Sequence, residues 1–160
     1  MERAKPKFER LRTIYLNTLE AMKTNPQTYC RGLAPSPDVS AGETDQLKAR
    51  ADAALNNITF TLSYEEAARD CDLVIEAIAE NPEEKIAFYT ELAKHLPEKT
   101  IIATNSSTML PSAFAQHAGR PEKYLALHFA NEIWRNNTAE VTGHPETSKQ
   151  AYDDVAEFAE

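Results

Sequence analysis

Glycine is scarce in this chain: Gly32, Gly42, Gly119 and Gly143 are all that 160 residues contain. Four glycines so far apart cannot form a G-x-G-x-x-G fingerprint or a P-loop, both of which need clustered glycines to bring backbone against phosphate. Cysteine is scarcer, since Cys30 and Cys71 stand 41 positions apart and belong to no CxxC pattern. They read as reduced thiols, not as a disulfide framework. No apolar run approaches bilayer length, and Met1-Glu2-Arg3-Ala4-Lys5 offers no apolar stretch of signal-peptide type. A cytoplasmic protein without a membrane partner is expected. Basic residues are outnumbered 17 to 25, for a net charge of −8. Nucleic acid is held through clustered Lys and Arg, so it is not an expected partner either.

What remains is ordinary for a folded domain, with 42% apolar and 26% charged residues. Residues 1–160 read as one domain in three stretches: a helical segment with a long loop over 1–56, a βα core over 57–145, and a terminal helix starting in 146–160. Phe8, Leu11, Ile14, Tyr15, Leu16, Leu19 and Met22 recur near helical spacing and predict a helix over 2–22. Residues 24–44, rich in Pro and Gly, predict a long connection, and 45–55 a short helix. Ile58-Thr59-Phe60-Thr61 predicts a strand. Ser63-x-x-Glu66 has the form of a capping box. The nearly all-apolar run over 73–78 suits a parallel strand covered on both faces. Asn81-Pro82-Glu83-Glu84 combines an N-cap, Pro at N1 and first-turn acids ahead of a helix stopped by Pro97. Further strands are expected over 100–104, 124–129 and 139–141, with helices over 111–117 and 145–160. Short strands alternating with helices mean an α/β fold with a mostly parallel sheet.

In such sheets ligands gather beyond the carboxyl ends of the strands. That rule selects Glu80 and Asn81, then Asn105, Ser106 and Ser107, then His128 and Asn131. As single residues, Asn and Ser there are more often turn residues than binding groups. A lone histidine inside Leu127-His128-Phe129 is, likewise, more often a satisfied core residue than a catalyst. Glu140 lies 12 residues further on between Ala139 and Val141, and a buried carboxylate needs a partner. Adjacent strands would pair the two as a buried dyad, the carboxylate fixing the tautomer and leaving the other ring nitrogen as a base. Ser107, His128 and Glu140 lack the G-x-S-x-G elbow of a hydrolase. His95, His117, His128 and His144 lack metal-ligand spacing, so no metal site is expected.

The stretches Asp72-Leu73-Val74-Ile75-Glu76-Ala77-Ile78-Ala79-Glu80-Asn81, Ala103-Thr104-Asn105-Ser106-Ser107, Gly119-Arg120-Pro121-Glu122 and Leu127-His128-Phe129 with Asn131, in this order and spacing, resemble the NAD-binding domain of the 3-hydroxyacyl-CoA dehydrogenase family. The resemblance covers residues 57–145 best. It implies a Rossmann-like, doubly wound sheet, NAD as cofactor, an acyl-CoA substrate and a homodimer for the full-length enzyme. His128 matches the family's catalytic base and Glu140 its paired carboxylate. Ser107 matches a serine touching both substrate and cofactor, while Glu80, Lys85 and Asn131 match cofactor contacts, Asn131 lying near the substrate as well.

The family's opening strand, glycine-rich turn, helix and second strand have no counterpart here, and neither does its C-terminal helical domain. The chain therefore reads as an incomplete Rossmann-like domain, expected to be aggregation-prone or domain-swapped alone and inactive by itself. Where the family usually reads H-F-F-N-P, this chain reads His128-Phe129-Ala130-Asn131-Glu132. Two alternatives stand beside the dehydrogenase: a non-catalytic binding or oligomerisation remnant, and a relative acting on another small hydroxy acid.

Overall fold

The computed structural model describes residues 4–160 and divides into two compact units. One comprises residues up to 62 together with 130–137; the other comprises 63–129 together with 138–160.

In the first unit, helix α1 (Lys5–Met22) lies against helix α2 (Ala41–Asn56). Residues 2 and 3 of the expected first helix lie outside the described residues. Ala4 caps α1 without a side-chain hydrogen bond, since alanine carries no acceptor. Leu19, Met22 and Ala34 form a buried cluster to which Leu33, Val39 and Leu47 add. The charged rows beside it pair across the helices, Arg12 with Asp52 at 2.5 Å, Lys23 with Asp45 at 3.1 Å and Lys48 with Glu20 at 2.9 Å. Such exposed pairs are worth about 0–1 kcal/mol each, so the apolar seam holds the hairpin.

The connection expected over 24–44 is shorter than the sequence suggested. A 3-10 turn, Pro26–Thr28, is capped by Asn25, and α2 begins at Ala41, four residues before the expected start. The cause is a capping box: the Ser40 hydroxyl accepts from the Glu43 amide at 3.2 Å while the Glu43 carboxylate accepts from the Ser40 amide at 2.9 Å. The strand expected over 58–61 does not form. Its β-branched residues suit a strand, but strand formation depends on a ladder, and among the described residues the sheet consists of four other segments. Phe60 instead packs edge-on against Phe8, with ring centroids 5.5 Å apart.

Residues 130–137 belong to this unit and carry a short helix, α5 (Ile133–Asn136), flanked by left-handed residues Glu132 (φ 53°) and Asn137 (φ 41°). The departure at Glu132 thereby gains a physical meaning, because a proline ring locks φ near −65° and cannot occupy this conformation. Trp134 packs tilted against Tyr15 with ring centroids 5.3 Å apart, and its carbonyl accepts the Gly32 amide at 3.1 Å. A Cβ on Gly32 would lie 2.7 Å from the Trp134 Cα and 2.9 Å from its carbonyl oxygen. Both are backbone atoms and cannot swing away. Gly32→Ala is therefore expected to cost about 1–3 kcal/mol. Trp134 is the single tryptophan, so its emission should shift to the red as it separates from Gly32. Unchanged emission and an unchanged urea midpoint would contradict this contact.

The second unit is a four-stranded sheet with strand order β1-β2-β3-β4: β1 (Leu73–Glu76), β2 (Ile101–Thr104), β3 (Tyr124–Phe129) and β4 (Ala139–Thr142). The first three run parallel and β4 is antiparallel to β3. Helix α3 (Tyr64–Ala68) starts where Ser63 accepts from the Glu66 amide, and α4 (Pro82–Leu92) where Asn81 accepts from the Glu83 and Glu84 amides. Helix α4 ends at Leu92, five residues before Pro97, and turns carry the chain to the proline. The helix expected over 111–117 is only a 3-10 turn, Pro111–Ala113, followed by further turns. The last helix, α6 (Lys149–Ala159), begins at a Ser148 cap.

Both faces of the sheet are covered. Tyr89 and Leu92 of α4 pack with Ile102, Phe114 and Tyr124 on one side. Val155 of α6 packs with Ala103, Leu125 and Leu127 on the other. This is the doubly wound, mostly parallel arrangement expected from the sequence. Among the described residues no helix is long and apolar enough to cross a membrane.

Candidate active site

Because β1, β2 and β3 are parallel, their carboxyl ends lie along one edge, and Glu80, Asn105, Ser106, Ser107 and His128 follow or end those strands. Alternation along β3 sends Leu125, Leu127 and Phe129 towards the α6 side and leaves His128 on the opposite face with Tyr124. β4 returns antiparallel, and its register sets Glu140 directly opposite His128. The His128 Nδ1 and Glu140 Oε2 are 2.9 Å apart. An ionised carboxylate only accepts, so Nδ1 carries a proton, and in the neutral ring the lone pair then lies on Nε2. The arrangement can take a proton from a hydroxyl placed at Nε2.

The pair is not buried, contrary to the expectation from its apolar neighbours. The side chain of His128 is 30% exposed and that of Glu140 is 70% exposed. β4 is one of the two edge strands among the described residues; its alternation turns Ala139 and Val141 towards the core and Glu140 towards solvent. The interaction therefore contributes about 0–1 kcal/mol to folding. Its value lies in orienting the ring.

The turn after β2 is tied in two directions. Glu80 accepts from the Ser106 hydroxyl at 2.8 Å and from the Ser107 amide at 3.1 Å. The Asn105 amide donates to the Glu76 carbonyl at 2.7 Å, while its side-chain oxygen accepts from the Phe129 amide at 2.9 Å. Glu80, Asn105, Ser106 and Ser107 thus share one hydrogen-bonded edge with the strand that carries His128. Ser107 is exposed, and its backbone amide is the group that donates to Glu80.

Two further expected site residues have these surroundings. Asn131 is exposed and belongs to the first unit, where its carbonyl accepts from the Asn136 side chain. Lys85, expected at the cofactor, has its side chain only 1% exposed. It sits on the inner face of α4, and its ammonium donates to both carboxylate oxygens of Glu76, each at 2.8 Å. It supports the sheet instead of presenting charge at its edge.

Around that ion pair lies a buried network that the sequence did not disclose. Glu76 also accepts from the Ile78 amide at 2.7 Å, the Thr104 hydroxyl at 2.9 Å and the Tyr89 hydroxyl, and Tyr124 donates to Tyr89 at 2.9 Å. Burial pushes the Glu76 carboxyl up, but the hydrogen bonds from Lys85, Tyr89, Ile78 and Thr104 outweigh it and leave it below its ordinary range. Burial raises both phenols, that of Tyr124 to about 12. The signal was a carboxylate inside an apolar strand, which had to find a partner.

Comparison with known proteins places the chain in a family. The family described as 3-hydroxyacyl-CoA dehydrogenase, NAD binding domain, matches residues 19–160. The fatty acid oxidation complex subunit alpha of Pseudomonas syringae pv. syringae (strain B728a) is 38% identical over 106 residues, which are 66% of this chain and 15% of that protein. Its counterpart in Acinetobacter baumannii (strain AYE) is 40% identical over 97 residues, 61% of this chain and 13% of that one. Among solved structures, a diketoreductase acting on dicarbonyl compounds superposes with a TM-score of 0.78 at 40% identity, covering 99% of this chain and 47% of its own. The (S)-3-hydroxybutyryl-CoA dehydrogenase of Ralstonia eutropha superposes with a TM-score of 0.65 at 27% identity, covering 74% and 44%. The chain thus spans about 15% of the first of these relatives and less than half of either solved structure.

Proposed function

Since the chain belongs to the 3-hydroxyacyl-CoA dehydrogenase family through its NAD binding domain, we propose that the whole protein oxidises an L-3-hydroxyacyl-CoA to the 3-oxoacyl-CoA with NAD. The observation that supports this reading best is the His128–Glu140 hydrogen bond at the carboxyl end of the sheet. Bound NAD supplies the acceptor for the hydride leaving C3. His128 Nε2 takes the proton from the 3-hydroxyl. Glu140 holds the ring in the Nδ1-protonated tautomer and offsets the charge of the imidazolium that forms. Ser107 orients the substrate oxygen and contacts the cofactor, and Glu80 holds the Ser107 turn in place. Asn131 is a further contact to substrate and cofactor, whereas Lys85 acts from beneath through Glu76. A cytoplasmic homodimer belongs to the same reading.

A second reading, oxidation of a small hydroxy acid or reduction of a dicarbonyl without CoA, has specific support. The diketoreductase likeness covers nearly the whole chain, and the left-handed Glu132 stands where the family carries proline. Nicotinamide absorbance with the whole protein separates the two. L-3-hydroxybutyryl-CoA should be turned over with the larger kcat/KM than free 3-hydroxybutyrate or a small dicarbonyl. The reverse ranking would replace the CoA reading with the second one. Absence of turnover on all three would leave the non-catalytic remnant.

A further inference from the structure

We propose that Asn105 is a positioning residue for His128, a role that rests on the dehydrogenase reading above. The β2–β3 ladder ends with Thr104 opposite Ala126, yet β3 runs on to Phe129. In a parallel ladder that last pairing reaches the Leu127 amide, and beyond it β3 has no backbone partner from β2 among the described residues. Asn105 fills that gap: its side-chain oxygen accepts the Phe129 amide at 2.9 Å, extending the sheet with a side chain where the backbone has turned away. An amide N–H can only donate, so the group meeting it must be the Asn105 oxygen and not its nitrogen.

Sidedness makes this bond matter to His128. Along a strand, successive residues direct their N–H and C=O groups to alternate neighbours. Phe129 faces β2, so the backbone of His128 faces β4, where Glu140 is its register partner. The end of β3 is thus held on one side by the strand of Glu140 and on the other by Asn105. Asn105 is itself fixed, with its amide on the Glu76 carbonyl at 2.7 Å. The next residue is fixed as well, the Ser106 amide meeting the Thr104 hydroxyl at 3.2 Å and the Ser106 hydroxyl meeting Glu80.

One half-buried hydrogen bond is small beside the packing of Leu125 and Leu127, so its loss leaves the sheet folded. A base displaced by a fraction of an ångström is another matter, since misplacement on the 1 Å scale costs on the order of 100-fold in rate. Asn105→Leu keeps the size and removes the acceptor; Asn105→Asp keeps an acceptor oxygen.

The test uses the whole protein with NAD and the substrate it prefers. Asn105→Leu should lower kcat by about 10- to 100-fold, with KM, NAD affinity and thermal midpoint nearly unchanged. It should also speed hydrogen exchange of the Phe129 amide. Asn105→Asp should return slow exchange and most of kcat. Wild-type kcat in the leucine variant overturns the proposal. So does a loss of kcat that tracks a fall in thermal midpoint and is not recovered by aspartate. A wild-type protein that turns over none of the substrates sinks the dehydrogenase reading and this role with it. The Phe129 exchange rate still reads the hydrogen bond in that case.

Discussion

Glu76→Leu is expected to lower folding stability by about 3–5 kcal/mol, a large part of the 5–15 kcal/mol typical of a domain. The substitution strands Lys85, whose side chain is 1% exposed, among Tyr89, Thr104 and the apolar face of the sheet. It also removes the acceptor for two hydroxyls and the Ile78 amide. Lys85→Met should cost less, because Glu76 keeps the Ile78, Thr104 and Tyr89 donors. The double variant should recover part of the loss, since two apolar side chains there need no partner. Urea midpoints of the three variants decide this, and a single-variant cost under about 1 kcal/mol would contradict a fully buried pair.

The same network shapes the pH dependence. Glu76 lies below its ordinary value of 4.5, so its contribution is present above that pH and is lost as pH falls through the lower folded value. Tyr124 is raised from 10.0 to about 12, so its contribution is complete below pH 10 and disappears as pH climbs towards 12. Tyr124→Phe should soften the alkaline limb of the stability profile and leave the acid limb in place.

Local signals were legible where the chain satisfies its own polar groups nearby. Asn81-Pro82-Glu83-Glu84 announces α4 because the cap acceptor and the amides it serves lie within three residues. Ser40 with Glu43 carries the same kind of signal, but Ala41 and Gly42 follow it and hid the start of α2. Ile58-Thr59-Phe60-Thr61 failed for the opposite reason, because its composition favours a strand and strand formation depends on a distant partner. The pairing of His128 with Glu140 was readable, since each residue needed explaining in an apolar run. Their exposure was not, because it depends on β4 being an edge strand. The Glu76 network was least readable: Tyr124 is 48 positions from Glu76, and only the fold of α4 onto the sheet unites them.

His128→Gln should lower kcat of the whole protein by about 10²- to 10⁴-fold, the range of a general base. This corresponds to about 3–5 kcal/mol of transition-state stabilisation. Glutamine keeps comparable bulk and can still meet Glu140, but it has no basic nitrogen to accept the substrate proton. The His128–Glu140 pair adds little to folding, so the thermal midpoint should hardly move and NAD affinity should persist. Glu140→Gln should cost less than His128→Gln, because the base survives and loses only its fixed tautomer and charge partner. With Glu140 70% exposed, water takes over part of that compensation. Rates and NADH titrations on both variants test the assignment together. Near-normal turnover in His128→Gln would remove this histidine from the chemistry, and a larger loss in Glu140→Gln would make the carboxylate the base.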